Sequence, residues 1–419
     1  MWSVIVASVV LAGAPVELSK IENGGALPEL VWRQSPDLQP ARVRVAQAEA
    51  ERRKALRLPN PGLDLSVNTL PVGPLNPPGL SEPFLNVPNV AVGLSVLLEL
   101  GKRGPRQDAT SEAARAAALE ALEQLRRKVL DLEDVIGDVA AAQVRVDALD
   151  GLSDDARKLT ELQQARAQKG DTSDLDADRA RLEQEGTVTA LGEAQEQLAA
   201  ALRSCADVVA TPCAPFADAA QANTWLERKV VPVATELERR PDLRALDAAI
   251  RAARAAQTLA SHGWIPDPTV RVGYVRDQFV VSGNQQNSLF VGVSMPLPFF
   301  EHGEDDAEAA AVAARTAERT REQLLTSAQT QLSQLTSSVS AVEGRQQRLR
   351  DQSLPLAHTV VERLSAAVTR GAAPLQELLL ARRTLAELLL NGTELDRTLF
   401  HLHVARARLS STLDALPAP

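Results

Sequence analysis

Four aspartates crowd just beyond Gly170, at Asp171, Asp174, Asp176 and Asp178. Such a run can do two things. Carboxylates in the first turn of a helix cap free N–H groups and complement the helix dipole. Repeated around a symmetry axis, the same groups focus a negative potential that draws cations. On the residues alone both roles stay open. His302, Glu304, Asp305 and Asp306 include metal-ligand types, but their pattern is that of a solvated helix start with acidic N-terminal residues. His401 and His403 fall two apart on a helix, on different faces, and cannot share one ion. His358 has no ligand partner in helical register. Cys205 and Cys213 show neither CxxC nor metal-type spacing. They either close a small loop in an oxidising compartment or remain two buried thiols. No GxGxxG, P-loop, HExxH or GxSxG pattern occurs. The sequence predicts no catalytic residue, no metal centre, no cofactor and no enzyme.

The elements that must hold these residues are long. Of 419 residues, 45% are hydrophobic but only 3% aromatic, and alanine, leucine, glutamate and arginine dominate. That balance fits long helices in coiled-coil contact. The net charge of −9 is spread over both signs without a basic block, which excludes nucleic acid as a partner. Residues 1–20 read as a signal peptide: Trp2 to Ala14 is apolar, and Ala12-Gly13-Ala14 has small-x-small form. The run is too short to span a membrane, and no other apolar run reaches about 20 residues.

The chain repeats itself. Pro36-Asp37-Leu38 returns as Pro241-Asp242-Leu243, Gly93 as Gly292 and Gly170 as Gly371, at offsets of 205, 199 and 201. Repeat 1 (36–203) is expected to hold a helix at 41–58, strands at 62–70 and 90–99, a long helix at 102–169 and a helix at 172–203. Repeat 2 (241–412) is expected to hold a helix at 243–262, strands at 268–276 and 288–296, a long helix at 304–370 kinked near 355, and a helix at 374–412. A small linker subdomain (204–240) joins them, and 413–419 is a loose tail. The strands rest on alternation: Leu63, Leu65, Val67; Val92, Leu94, Val96; Val270, Val272, Tyr274; Val291, Val293, Met295. A soluble half-buried sheet and a barrel with a lipid face and a wet lumen both produce it. In the helices, Leu122, Leu125, Val129, Leu132, Ile136 and Val139 form a coiled-coil stripe, as do Ala328, Leu332, Leu335, Val339 and Val342. Gly137 and Gly151 are expected weak points, and Pro355 lacks the N–H that a helix interior needs.

Four strands cannot close a membrane barrel, which needs at least about 8 and leaves no open edge. A sheet in the membrane therefore requires more than one chain. The ordered set "NPGLDLSVN…VGLSVLLELGKRG", "DPTVRVGY…GVSMPLPFF" with "EHGE", and "LPLAHTVVERLSAAVTRGAAPLQELLLARRTL" resembles the outer-membrane efflux protein family, the TolC-like channels, across about residues 36–412. The resemblance implies a mainly α fold with a small β part. A long coiled-coil helical barrel would join a transmembrane β-barrel built by an oligomer, three chains giving twelve strands. Gly101, Gly104 and Gly303 would mark the passage from barrel to tunnel. Gly170, Asp171, Asp174, Asp176, Arg370 and Gly371 would form the periplasmic tip, where the tunnel narrows and a periplasmic adaptor docks, with Arg370 pairing one of the aspartates. An inner-membrane proton-driven pump would supply the energy, and the ELGKRG-type junction is most like the heavy-metal branch. The second tip departs from the family in having no acidic cluster. The aromatic belt is sparse, with Trp264, Tyr274, Phe279, Phe290 and Phe84 as its members. Drug efflux, type I protein secretion and a soluble periplasmic scaffold or adaptor are the competing functions.

Overall fold

From Arg103 to Gln168 nothing stops a helix: Pro105 sits in the first turn, where no N–H bond is lost, and small and charged residues follow. That 66-residue helix is the spine of the computed structural model, which describes residues 15–21, 24–74, 79, 81–228, 237–278, 285–413 and 415–417. Most of the expected signal peptide, and Phe279, lie outside the described residues. In chain order the elements are β1 (Val16–Glu17), α1 (Leu27–Gln34), α2 (Gln39–Leu56), β2 (Gly62–Asn68), β3 (Asn89–Leu97), α3 (Arg103–Gln168), α4 (Asp174–Val209), β4 (Cys213–Ala214), α5 (Ala219–Glu227), α6 (Pro241–Ser261), β5 (Thr269–Asp277), β6 (Asn287–Ser294), α7 (Glu304–Arg348), α8 (Leu354–Thr369) and α9 (Leu375–Ser410).

Two compact units emerge, and each draws on both sequence repeats. One takes the described residues of Met1–Arg42, Glu120–Leu243 and Gln323–Pro419; the other takes Val43–Leu119 and Arg244–Glu322. The repeats divide the chain lengthwise, whereas the units cut across the long helices.

In the first unit, Leu122, Leu125, Val129, Leu132, Ile136 and Val139 of α3 are all buried, as are Phe400, Val404 and Ala407 of α9. Gly137 is not a weak point, because α3 runs through it unbroken. It is a seat: a Cβ there would lie 2.5 Å from the Phe400 ring. Buried Arg126, held by Glu123 at 2.7 and 2.8 Å, donates to the carbonyls of Ala407 (3.3 Å) and Arg408 (2.9 Å) and to Ser411 Oγ (3.1 Å). It thereby satisfies the Arg408 carbonyl at the end of α9 and shares the Ala407 carbonyl with Ser411 N.

The linker was expected to begin at 204, but α4 continues to Val209 and ends at Ala210, whose φ is +53°. Nothing from Ser204 to Val209 breaks a helix, and Pro212 comes only afterwards. Cys205 is thus a buried helical residue, and it is disulfide-bonded to Cys213. Cys213 lies in β4, which pairs in parallel with β1. Sequence reasoning missed both this ribbon and α1. Gln221 Nε2 donates to Ser19 O at 2.9 Å, and Gln143 exchanges hydrogen bonds with the Phe216 backbone at 2.9 and 3.0 Å.

Near Pro355 the backbone does not simply kink. It widens into a π-turn at Leu349–Ser353, and Pro355 then stands in the first turn of α8. Arg350 in that turn reaches Glu227 at 2.9 Å and Asp396 at 3.0 Å.

The second unit holds a four-stranded antiparallel sheet in the order β2-β3-β5-β6. β2 stops at Asn68, two residues short of expectation, because Thr69 takes φ +58°. Ion pairs tie α6 to its neighbours: Arg251 to Glu112 (2.9 Å), Arg254 to Glu318 (2.6 Å) and Arg321 to Asp247 (2.7 Å).

Candidate functional site

The sheet register aligns the apolar residues into rows. Leu63, Leu94, Val272 and Val291 form one, and Leu65, Val92, Tyr274 and Leu289 the next. These eight side chains are 40–81% exposed. The opposite face carries Asp64, Ser66, Ala91, Gly93, Ser95, Arg271, Gly273, Ser288 and Gly292. An exposed apolar face opposite a face of small and polar residues is the arrangement of a lipid-facing barrel wall. β2 and β6 leave the sheet with two open edges, which cost several kcal/mol per unpaired group in hydrocarbon. Among the described residues, no helix is long and apolar enough to cross a membrane.

Of the aromatic residues expected in a belt, Trp264 and Phe84 are well exposed and Tyr274 lies on the apolar face. Phe290 is a correction. It belongs to the polar face, in the row Asp64, Gly93, Gly273, Phe290. Phe299 and Phe300 are highly exposed aromatics that sequence reasoning passed over.

At the first junction Gly101 takes φ +74°, a turn that favours glycine, and two of the basic residues beside it, Lys102 and Arg106, are neutralised locally. Lys102 Nζ lies 2.9 Å from Asp267, whose other oxygen accepts from Leu100 N at 3.0 Å. Arg106 grips Glu99 with two nitrogens. Gly104 lies inside α3 with open space around it, so nothing there demands glycine. At the second junction Gly303 takes φ +83°, and a Cβ on it would meet Ala260 O at 2.3 Å. Glu304, Asp305 and Asp306 form the first turn of α7, where acids complement the dipole. Among the described residues, no three His, Cys, Asp or Glu side chains are grouped to hold a metal ion.

The two tips share one geometry. Gly170 N and Asp171 N donate to Ala167 O and Arg166 O; Gly371 N and Ala372 N donate to Val368 O and Ala367 O. Each is the paired 5→2 and 6→1 bonding of a glycine-terminated helix, with φ +79° and +71°. They then diverge. Ser173 caps α4 by accepting from Asp176 N at 3.2 Å, whereas Pro374 precedes α9 without a side-chain cap. Asp171 and Asp174 are exposed; Asp176 is half-buried, near Thr172 (3.3 Å) and Arg179 (3.4 Å). Among the described residues, Arg370 forms no ion pair with an aspartate of its own chain. Arg370 is the exposed cap residue of α8, and Arg166 makes the link between the helices, donating to Val368 O at 3.4 Å. Beneath the tips Leu159, Val368, Leu375 and Leu378 form a small core.

The model of the family described as "Outer membrane efflux protein" matches residues 27–209 and 233–400. The chain belongs to that family. It is a channel, not an enzyme. Over 301 residues it is 26% identical to the cobalt-zinc-cadmium resistance protein CzcC of Cupriavidus metallidurans, covering 70% of each chain. Among solved structures it is similar to CusC (16% identical, 92% of both chains, TM-score 0.71). It is also similar to VceC of Vibrio cholerae (17%, covering 93% and 97%, TM-score 0.69) and CmeC of Campylobacter jejuni (14%, covering 94% and 87%, TM-score 0.70). The fold is that of the TolC-like channels, mainly helical with a small β part.

One charged cluster in the channel escaped sequence reasoning, which tested His401 only as a metal ligand. Asp131, Asp134 and Asp138 stand on α3, opposite Arg397, His401 and Arg408 on α9. Arg408 reaches Asp131 (2.8 Å) and Asp134 (2.6 Å), and Arg397 reaches Asp138 (2.7 Å). Both ring nitrogens of His401 lie 2.9 Å from a carboxylate, Nδ1 from Asp134 and Nε2 from Asp138. Both must donate, so the ring is held as imidazolium, and these bonds raise its pKa to about 9 against the pull of burial. Burial pushes Asp138 up, but the His401 and Arg397 bonds outweigh it and hold the carboxyl below its usual range. A raised histidine pKa stabilises fully below about 6.5 and is lost as pH climbs through about 9. Thermal stability of the channel is therefore expected to fall as pH rises from 6.5 through about 9. In His401→Gln that fall should shrink; equal slopes for both proteins would exclude the cluster as its source.

Proposed function

We propose that three copies of the chain build one outer-membrane exit duct of a tripartite efflux system, and that its cargo is metal cations. The observation that carries the duct is the four-stranded sheet with one exposed apolar face and two open edges. Three chains bring twelve strands, above the minimum of about 8 for a membrane barrel, and join every edge. Residues 1–20 direct export, consistent with the Cys205–Cys213 disulfide. The helices form the tunnel, an adaptor docks at the Gly170 and Gly371 tips, and an inner-membrane proton-driven pump supplies the energy. The cargo reading is supported by the relative named for cobalt, zinc and cadmium resistance.

A strain lacking the chain should become sensitive to divalent metals, with resistance restored by the wild type. Sensitivity to drugs but not metals would replace metal export with drug efflux. A soluble periplasmic monomer in fractionation would remove the duct. The tip aspartates give a finer test. Asp174→Asn with Asp176→Asn should lower cation-over-anion selectivity in planar bilayers about two-fold while preserving Ser173 capping, since three acidic pairs leave the constriction. Unchanged selectivity would leave these residues with a capping role alone.

A further inference from the structure

Resting on the reading that the polar sheet face lines a water-filled lumen, we propose that Gly93 and Gly273 set the width of that lumen by giving the Phe290 ring a bed to lie on. Asp64, Gly93, Gly273 and Phe290 form one straight row across β2, β3, β5 and β6. Strand neighbours are about 4.8 Å apart, so a ring that leans along the row crosses its neighbours in turn. A Cβ built on Gly273 would meet Phe290 Cε1 and the Val92 carbonyl oxygen, each at 2.5 Å, and one built on Gly93 would meet Phe290 Cζ and the Val272 carbonyl oxygen, each at 3.1 Å. The ring therefore reaches from β6 over β5 to β3, flat against two glycine backbones. An aromatic lying over glycine recovers the packing that the missing side chains forgo.

That geometry matters because of what surrounds it. The rows on either side read Gly62, Ser95, Arg271, Gly292 and Ser66, Ala91, Val275, Ser288. Phe290 is the only aromatic side chain among these twelve residues. Upright, three copies of the ring would stand in the bore as an apolar collar, the type of constriction that gates by expelling water. Lying flat, they leave the bore wide and wetted. A side chain larger than alanine at residue 93 would occupy the place of the flat ring, so glycine there favours the flat state. The parity of the strand explains the choice of face: Leu289, Val291 and Val293 point to the apolar side, so Phe290 must face the other way.

The test compares wild type, Gly93→Val, Phe290→Ala and Gly93→Val/Phe290→Ala as full-length trimers in planar bilayers. Gly93→Val should lower single-channel conductance about two-fold or more, because valine occupies the bed and lifts the ring. Phe290→Ala should conduct at or above the wild-type level. The double variant should return to the Phe290→Ala value. The proposal is overturned if Gly93→Val conducts like wild type, or if removing Phe290 fails to restore its conductance. Should Gly93→Val not assemble, Gly93→Ser takes its place, since its Oγ extends past the Cβ into the space of the ring while remaining polar; the same two comparisons apply. A wild-type protein that forms no channel would instead refute the duct itself.

Discussion

Leu94→Arg is expected to abolish assembly in the outer membrane. Leu94 lies in the middle of β3, in the row Leu63, Leu94, Val272, Val291, and is 57% exposed. An arginine on the lipid face of a barrel costs roughly 2–4 kcal/mol near the bilayer midplane. Threefold repetition brings this to roughly 6–12 kcal/mol per trimer, comparable to the whole stability of a domain. Ser66→Arg is the control. Ser66 occupies a neighbouring strand but the polar face, where arginine meets water. Outer-membrane fractions run without heating should show an SDS-resistant oligomer for wild type and Ser66→Arg, and none for Leu94→Arg. The reverse pattern would exchange the two faces of the sheet.

The second large effect lies in the helical unit. Phe400 is fully buried, and truncation to alanine should cost about 3–5 kcal/mol per chain. Gly137 makes the result diagnostic. In a helix interior Gly→Ala ordinarily stabilises by about 1 kcal/mol. Here the added Cβ would sit 2.5 Å from Phe400 Cδ1 and Cε1, and overpacking of this kind costs about 1–3 kcal/mol. Gly137→Ala should therefore lower the temperature at which the oligomer dissociates in the wild-type background. In the Phe400→Ala background, with the ring gone, the same substitution should raise it. A change of sign between backgrounds identifies the seat. The same sign in both would mean that Gly137 is tolerated rather than required.

The fold class was legible because two periods carry it. Leu122, Leu125, Val129 and Leu132 keep helical spacing, and Leu63, Leu65 and Val67 keep strand alternation. Helix ends were less legible. The span 204–209 looked like linker because Cys205 and the nearby prolines drew attention away from six residues that break nothing. The disulfide was undecidable in sequence, since spacing alone does not distinguish a bridge from two thiols. Phe290 was misplaced by residue type although its parity was plain, since it falls on the even positions while Leu289, Val291 and Val293 fall on the odd. Gly137 could not have been understood from sequence. Its partner Phe400 lies far along the chain, and helical periodicity identifies faces without saying which face meets which. The same limit hid the Asp134–His401–Asp138 bonds. Nor could sequence show that Lys102 meets Asp267, which only the β3–β5 pairing brings near.

That pairing also imposes an order in time. β3 and β5 come from different repeats, and their partners Leu97 and Thr269 are 172 positions apart in the chain. The first hairpin therefore leaves the ribosome long before its neighbour exists. At about 5–20 residues per second, it waits roughly 10–35 s for the chain that will cover its inner edge. Throughout that interval it is a short, apolar ribbon with an open inner edge, the kind of segment that aggregates. A chaperone that shields the first hairpin would have more to do than one that shields the second, which emerges with its partner strand already made.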